Sequence, residues 1–269
     1  MFTRVEAADA AASAHASGAQ QESVVLSDLT LPAERYDDVA ALLGDSVLLA
    51  GSKTRAALFN WTNFDNFATQ AEPVDVADRI LEKHSVGACG ASIAGNFFLC
   101  GGMPEWSGTK SDDQEDDRSS CFQFDSGTKR WSALAARLPK FVRDAKMVSV
   151  GGSLFVVGGS YEEDDLWMTS SELFKLDTTQ DPLRWQTVAP LPMDMNDLEA
   201  TVLSDGHFGE DAILVCSGTV PKDCQVYDTK RDVWNAADGM PGQDRLDESR
   251  IGWALSQERV EAGAICGQI

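Results

Sequence analysis

The chain has 269 residues, 43% of them hydrophobic and 24% charged, which gives it material for one large core or two modest ones and excludes a disordered, collagen-like or coiled-coil chain. Its 22 basic and 43 acidic residues leave a formal charge of -21, so polyphosphate and anionic membrane surfaces repel it. Nucleic acid is not expected as a partner, and neither is membrane insertion, since no stretch approaches the roughly 20 apolar residues of a spanning helix.

Residues 1–20, MFTRVEAADAAASAHASGAQ, carry Arg4, Glu6 and Asp9, which interrupt the apolar core of a secretory signal. They read as a flexible tail preceding a folded domain over 21–269. A transit peptide is the weaker reading, because the stretch has two acids and one arginine.

From there a short apolar run ending in glycine recurs five times: SVLLAG (46–51), FFLCGG (97–102), LFVVGG (154–159), ILVCSG (213–218) and GAICGQ (263–268). The glycines at 51, 101, 158, 218 and 267 stand 50, 57, 60 and 49 residues apart. After the three middle runs comes a second strand-like segment ending in Asp: CFQFD (121–125), LFKLD (173–177) and CQVYD (224–228). Trp131, Trp185 and Trp234 follow, each leading to a segment that closes on proline. The first unit, 57–73, keeps the order with Asn60 for the Asp and Phe64 or Phe67 for the Trp. Asn60-Trp61-Thr62 matches a glycosylation sequon but reads as an ordinary strand end.

A period near 50 residues built from short strands and turns is expected of a propeller blade. The diglycine, the aromatic before a turn Asp and the Trp six to eight residues later resemble the kelch repeat, over roughly 36–269. The resemblance implies an all-β, kelch-like β-propeller of about five four-stranded blades, at about 36–73, 84–139, 143–192 and 196–241, with a fifth beginning near 248. The fifth holds only two strands, IGWALS and AGAICGQI. An open sheet edge invites aggregation, and propellers commonly close by borrowing a strand from the other terminus. ESVVLSDLTLP (22–32) is the N-terminal strand expected to close this last blade. The alternative is a piece of a longer, six-bladed protein.

The residues support the pattern without the family. A strand covered on both faces reads as a continuous apolar run. A glycine at its end permits positive φ or close backbone approach. An indole can fill the gap between neighbouring sheets, so Trp131, Trp185 and Trp234 are expected to be core.

Aligning the runs puts Cys100, Cys216 and Cys266 in one column with Val157 and Ala50, and Cys121 and Cys224 in another with Leu173. Positions shared with Val, Ala and Leu are apolar packing sites, so the cysteines read as reduced core thiols in preference to disulfides or a metal site. Reduced thiols favour an intracellular, cytoplasmic protein. Only His15, His84 and His207 are present, with no HExxH and no paired spacing. No metal or other cofactor is therefore expected. GxSxG and GxxxxGK[ST] are absent too, and the histidines and tyrosines do not fit the copper site of the oxidases that share a kelch-like propeller.

Two insertions follow the diglycines, at 103–120 and 160–170. As b-to-c loops of adjacent blades they share a face. They combine Asp112, Asp113, Asp116 and Asp117 with Trp106, and Glu162, Glu163, Asp164 and Asp165 with Tyr161 and Trp167. Acid runs keep a protein solvated, but exposed indoles ringed by polar groups are typical of interface hot spots. Arg118 and Lys110 are expected to hold the first loop's own acids. A calcium loop is disfavoured, since the spaced D-x-[DN]-x-[DN]-G pattern is missing.

The expected function is a non-catalytic protein-protein interaction module, a scaffold, adaptor or subunit of a larger assembly, which docks a basic segment of a partner on this acidic, aromatic face. The alternative is an enzyme or small-ligand binder at the propeller channel, like the kelch-like sugar isomerases and oxidases, using Arg143, Asp144, Glu199 and Arg250. A third reading takes the acidity as adaptation to high salt.

Overall fold

Each of four repeats folds as a four-stranded antiparallel meander. The computed structural model describes residues 39–50, 57–60, 72–73, 86–103, 118–164, 166–195, 197–203, 211–217 and 224–237. All belong to Leu31–Ile269, one of the two units into which the chain divides, the other being Met1–Thr30. The first blade is β1 (Val39–Leu43), β2 (Ser46–Ala50), β3 (Ala57–Asn60) and β4 (Glu72–Pro73). The second is β5 (Val86–Ile93), β6 (Asn96–Met103), β7 (Cys121–Asp125) and β8 (Arg130–Ala133). The third is β9 (Lys146–Val150), β10 (Ser153–Val157), β13 (Leu173–Asp177) and β14 (Trp185–Thr187), with a separate hairpin, β11 (Ser160–Glu163) and β12 (Leu166–Thr169), inserted between its second and third strands. The fourth is β15 (Glu199–Leu203), β16 (Ala212–Cys216), β17 (Cys224–Asp228) and β18 (Val233–Ala236). No helix occurs among the described residues. The chain is a kelch-like β-propeller, as the repeats predict. The fifth blade and its closing N-terminal strand lie outside the described residues, as does Cys266.

The continuous apolar runs have the reason expected of them. Along β6, Phe97 and Leu99 pack with Leu48 and Ala50 of the first blade, while Phe98 and Cys100 pack with Met147, Leu154 and Val156 of the third. Along β10, Leu154 and Val156 face the second blade, whereas Phe155 and Val157 face Ile213, Val215 and Tyr227 of the fourth. Alternate residues point to opposite faces, and both faces are covered by apolar neighbours, so the runs are almost wholly apolar. The innermost strands β1, β5, β9 and β15 lie beside one another in succession.

The motif residues lock this packing. Trp131, Trp185 and Trp234 each enter the cluster shared with the preceding blade. Trp131 and Trp185 are buried, and Trp234 is partly so. The Trp234 indole N–H donates to the Ala189 carbonyl of the third blade at 2.8 Å, whereas the buried N–H groups of Trp131 and Trp185 have no acceptor among the described residues. The diglycine allows a close approach: Gly158 and Gly159 have φ of +64° and +83°, a Cβ on Gly158 would run into the Leu198 side chain that leads into the fourth blade, and one on Gly159 would run into the backbone of Arg143 and Ala145. The turn Asp ends the third strand by capping the next turn. Asp125 Oδ1 accepts from the Thr128 backbone N–H at 2.6 Å and its hydroxyl at 2.9 Å, and Asp177 Oδ1 does the same with Thr179 at 2.9 and 2.6 Å.

The cysteines correct the sequence reading. They are not all reduced: Cys100 is bonded to Cys121 and Cys216 to Cys224. The two columns of the alignment are neighbouring strands of one blade, and the register sets them directly opposite, Cys100↔Cys121 and Cys216↔Cys224, at the position where the third blade has Val157↔Leu173. Opposed residues of antiparallel strands project to one face within bonding reach. Comparing each column around the propeller hid the pairing between columns.

Candidate partner-binding face

The segment 160–170, expected as a loop, is a hairpin. SYEE and LWMT are two strand-forming runs around an acidic turn, paired as Ser160↔Thr169, Tyr161↔Met168, Glu162↔Trp167 and Glu163↔Leu166. The pleat puts Glu162 and Trp167 on one face and Tyr161 and Met168 on the other. Its base is tied to the segment leading into the third blade, because Arg143 and Ser160 exchange backbone hydrogen bonds at 2.9 and 2.8 Å.

Three cations brace it. Arg118 Nη1 meets Glu162 Oε2 at 3.1 Å in a largely buried ion pair, with the guanidinium 4.6 Å from the Phe141 ring centre. Lys140 Nζ lies 3.1 Å from the Tyr161 ring centre, and the Arg143 guanidinium 3.6 Å from that of Trp167. Arg118, expected to hold its own insertion's acids, which lie outside the described residues, joins the end of that insertion to the hairpin of the next blade. Both insertions stand between the second and third strands of their blades.

What remains outward is apolar on one strand and acidic at the tip. Leu166, Trp167 and Met168 are 64%, 43% and 43% exposed, and Glu163 and Asp164 are exposed beside them. Asp164 turns the chain at φ +50°. Of the predicted face, Tyr161, Glu162, Glu163, Asp164 and Trp167 are thus brought together. Trp106, Asp112, Asp113, Asp116, Asp117 and Asp165 lie outside the described residues. Sequence reading missed Leu166 and Met168, although the strand-like LWMT run signalled them, and missed Lys140 and Arg143 as aromatic partners, for which a single sequence carries no signal.

The residues offered for a channel site are engaged elsewhere. Arg143 Nε is 3.1 Å from Asp144 Oδ2 while its guanidinium covers Trp167, and Glu199 pairs with Lys146 at 3.0 Å between the third and fourth blades. Arg250 lies outside the described residues. No group of three metal-ligating side chains occurs among the described residues, and no described helix is long and apolar enough to cross a membrane.

No family model matches the chain. Kelch-like protein 35 of Mus musculus is 29% identical over 119 residues, which are 44% of this chain. The chain covers only 18% of the length of that relative. Among solved structures, that of YjhT superposes with a TM-score of 0.55 at 12% identity, over 78% of this chain and 68% of the other. That likeness speaks to the fold alone. The sequence likeness suggests a kelch-like family.

Proposed function

We propose that the chain is a non-catalytic interaction propeller, a scaffold or subunit, and that it docks a basic segment of a partner protein on the hairpin face. The observation that carries the reading is the exposed Leu166–Met168 strand beside the acidic tip. Leu166 and Met168 project from one face of the hairpin and Trp167 from the other; large apolar side chains in water are costly unless a partner covers them, and the carboxylates at the tip steer a cationic segment toward them. Braced on one side by Arg143, Trp167 is held in place before binding, which lowers the ordering cost. The likeness to a kelch-like protein supports a protein-interaction role in general, and the choice of a basic segment comes from the charge.

The cytoplasmic expectation loses the support it drew from reduced thiols, since disulfides persist best in oxidising compartments. The test of the docking face is capture from native lysate at moderate salt, with the intact chain and with a variant carrying Leu166→Ser, Trp167→Ala and Met168→Ser. Salt-sensitive loss of a defined partner in the variant supports the face. Recovery of the same partner with both chains moves the interface elsewhere.

A further inference from the structure

Three cysteines stand in one row across the second blade. Cys89 on β5 is opposite Cys100 on β6, which is opposite Cys121 on β7. All three are buried and belong to the cluster that faces the third blade, so their side chains are on the same side of the sheet. Cys100 and Cys121 are bonded, with their Cα atoms 4.2 Å apart, while Cys89 keeps its thiol. That separation marks the narrow kind of antiparallel pair, and narrow and wide pairs alternate across a central strand. Cys89 and Cys100 therefore form a wide pair, about 5.5 Å between Cα atoms, within the span a disulfide bridges. The Cys89 Sγ lies 3.5 Å from the Cys100 carbonyl oxygen, directed at the residue that carries the bond.

We infer that Cys100 is the shared member of a buried thiol–disulfide exchange site, which links to Cys121 in one state and to Cys89 in the other. The step balances without an outside oxidant. The Cys89 thiol gives up its proton, its sulfur attacks the Cys100 sulfur, the Cys100–Cys121 bond breaks, and the electron pair leaves on Cys121, which takes up a proton. The first link ties β6 to β7 and closes the base of the insertion that bears Trp106 and the acid run, and the second ties β5 to β6 and opens that base. The consequence for the insertion rests on the proposed docking face, but the exchange does not. The fourth blade is a built-in control. Its disulfide occupies the same register, but the position equivalent to Cys89 is Glu199, engaged with Lys146.

The test maps disulfides by mass spectrometry in the full chain, equilibrated in glutathione buffers of graded ratio, quenched in acid with a thiol-blocking reagent and digested without reduction. Peptides linked through both Cys100–Cys121 and Cys89–Cys100 are expected in the same samples, while Cys216 is linked only to Cys224. In Cys121→Ser, the Cys89–Cys100 link is expected to become the dominant one. Cys89 blocked as a thiol at every ratio overturns the inference, as does a folded Cys121→Ser chain in which Cys89 and Cys100 are both blocked. If that variant does not fold, the unmutated chain decides alone.

Discussion

Replacing the blade tryptophans by phenylalanine separates two contributions that look alike in sequence. Trp185→Phe and Trp234→Phe each remove about 50 Å² of ring, worth about 1 kcal/mol where fully buried. At position 185 the same change deletes a buried N–H that has no acceptor among the described residues, relieving a desolvation cost of about 1–3 kcal/mol. The two effects oppose, and the net change is near zero. At position 234 the ring is partly exposed, so less area is lost, but the 2.8 Å bond to the Ala189 carbonyl goes with it. With a typical net hydrogen-bond contribution, the cost is about 1–2 kcal/mol. Urea unfolding, followed by the midpoint at constant slope, measures both. Trp185→Phe more destabilising than Trp234→Phe would refute the reasoning.

Gly158→Ala forces a side chain onto a backbone at φ +64° and into Leu198, so a loss of about 2 kcal/mol or more is expected in the same unfolding assay. Above pH about 10 stability falls, because burial and the neighbouring Asp232 carboxylate raise the Tyr227 phenol above its ordinary value; the neutral phenol favoured by the fold must ionise in the unfolded chain first, and thermal melts of Tyr227→Phe should lack that fall. At the acid end, hydrogen bonds from Thr128 and Thr179 hold the Asp125 and Asp177 carboxyls below the ordinary value, so their contribution is present above pH about 4 and is lost as pH drops through the lower folded values; the double asparagine variant should show a shallower acid limb in pH-dependent melts. Arg118→Ala breaks the ion pair with Glu162 and should speed amide exchange in the hairpin while leaving the melting of the blades nearly unchanged.

The architecture was legible because propeller physics writes itself into each repeat. A two-faced strand is apolar throughout, as in LFVVGG; the backbone crossing at its end demands glycine; and the indole that docks on the previous blade recurs at 131, 185 and 234. The hairpin was half legible. Its acids and Trp167 stood out, but the strand-like alternation of LWMT was overlooked. The disulfides were missed for a different reason: Cys100 and Cys121 are 21 positions apart in sequence and adjacent only once the register of β6 and β7 is known. Pairings such as Arg118 with Glu162 depend on how consecutive blades abut, which no single repeat encodes.

The central claim is that the exposed strand Leu166–Met168 and the tip Glu163–Asp164 receive a basic segment. Once a partner is captured, calorimetric titration of its basic segment into the full chain and into Trp167→Ala, at two salt concentrations, tests this most directly. The account predicts an affinity at least about 30-fold weaker for Trp167→Ala, the scale of a hot-spot residue of about 2 kcal/mol, and weaker binding to the intact chain at the higher salt. Equal affinity for both chains, with the melting temperature unchanged, would contradict it.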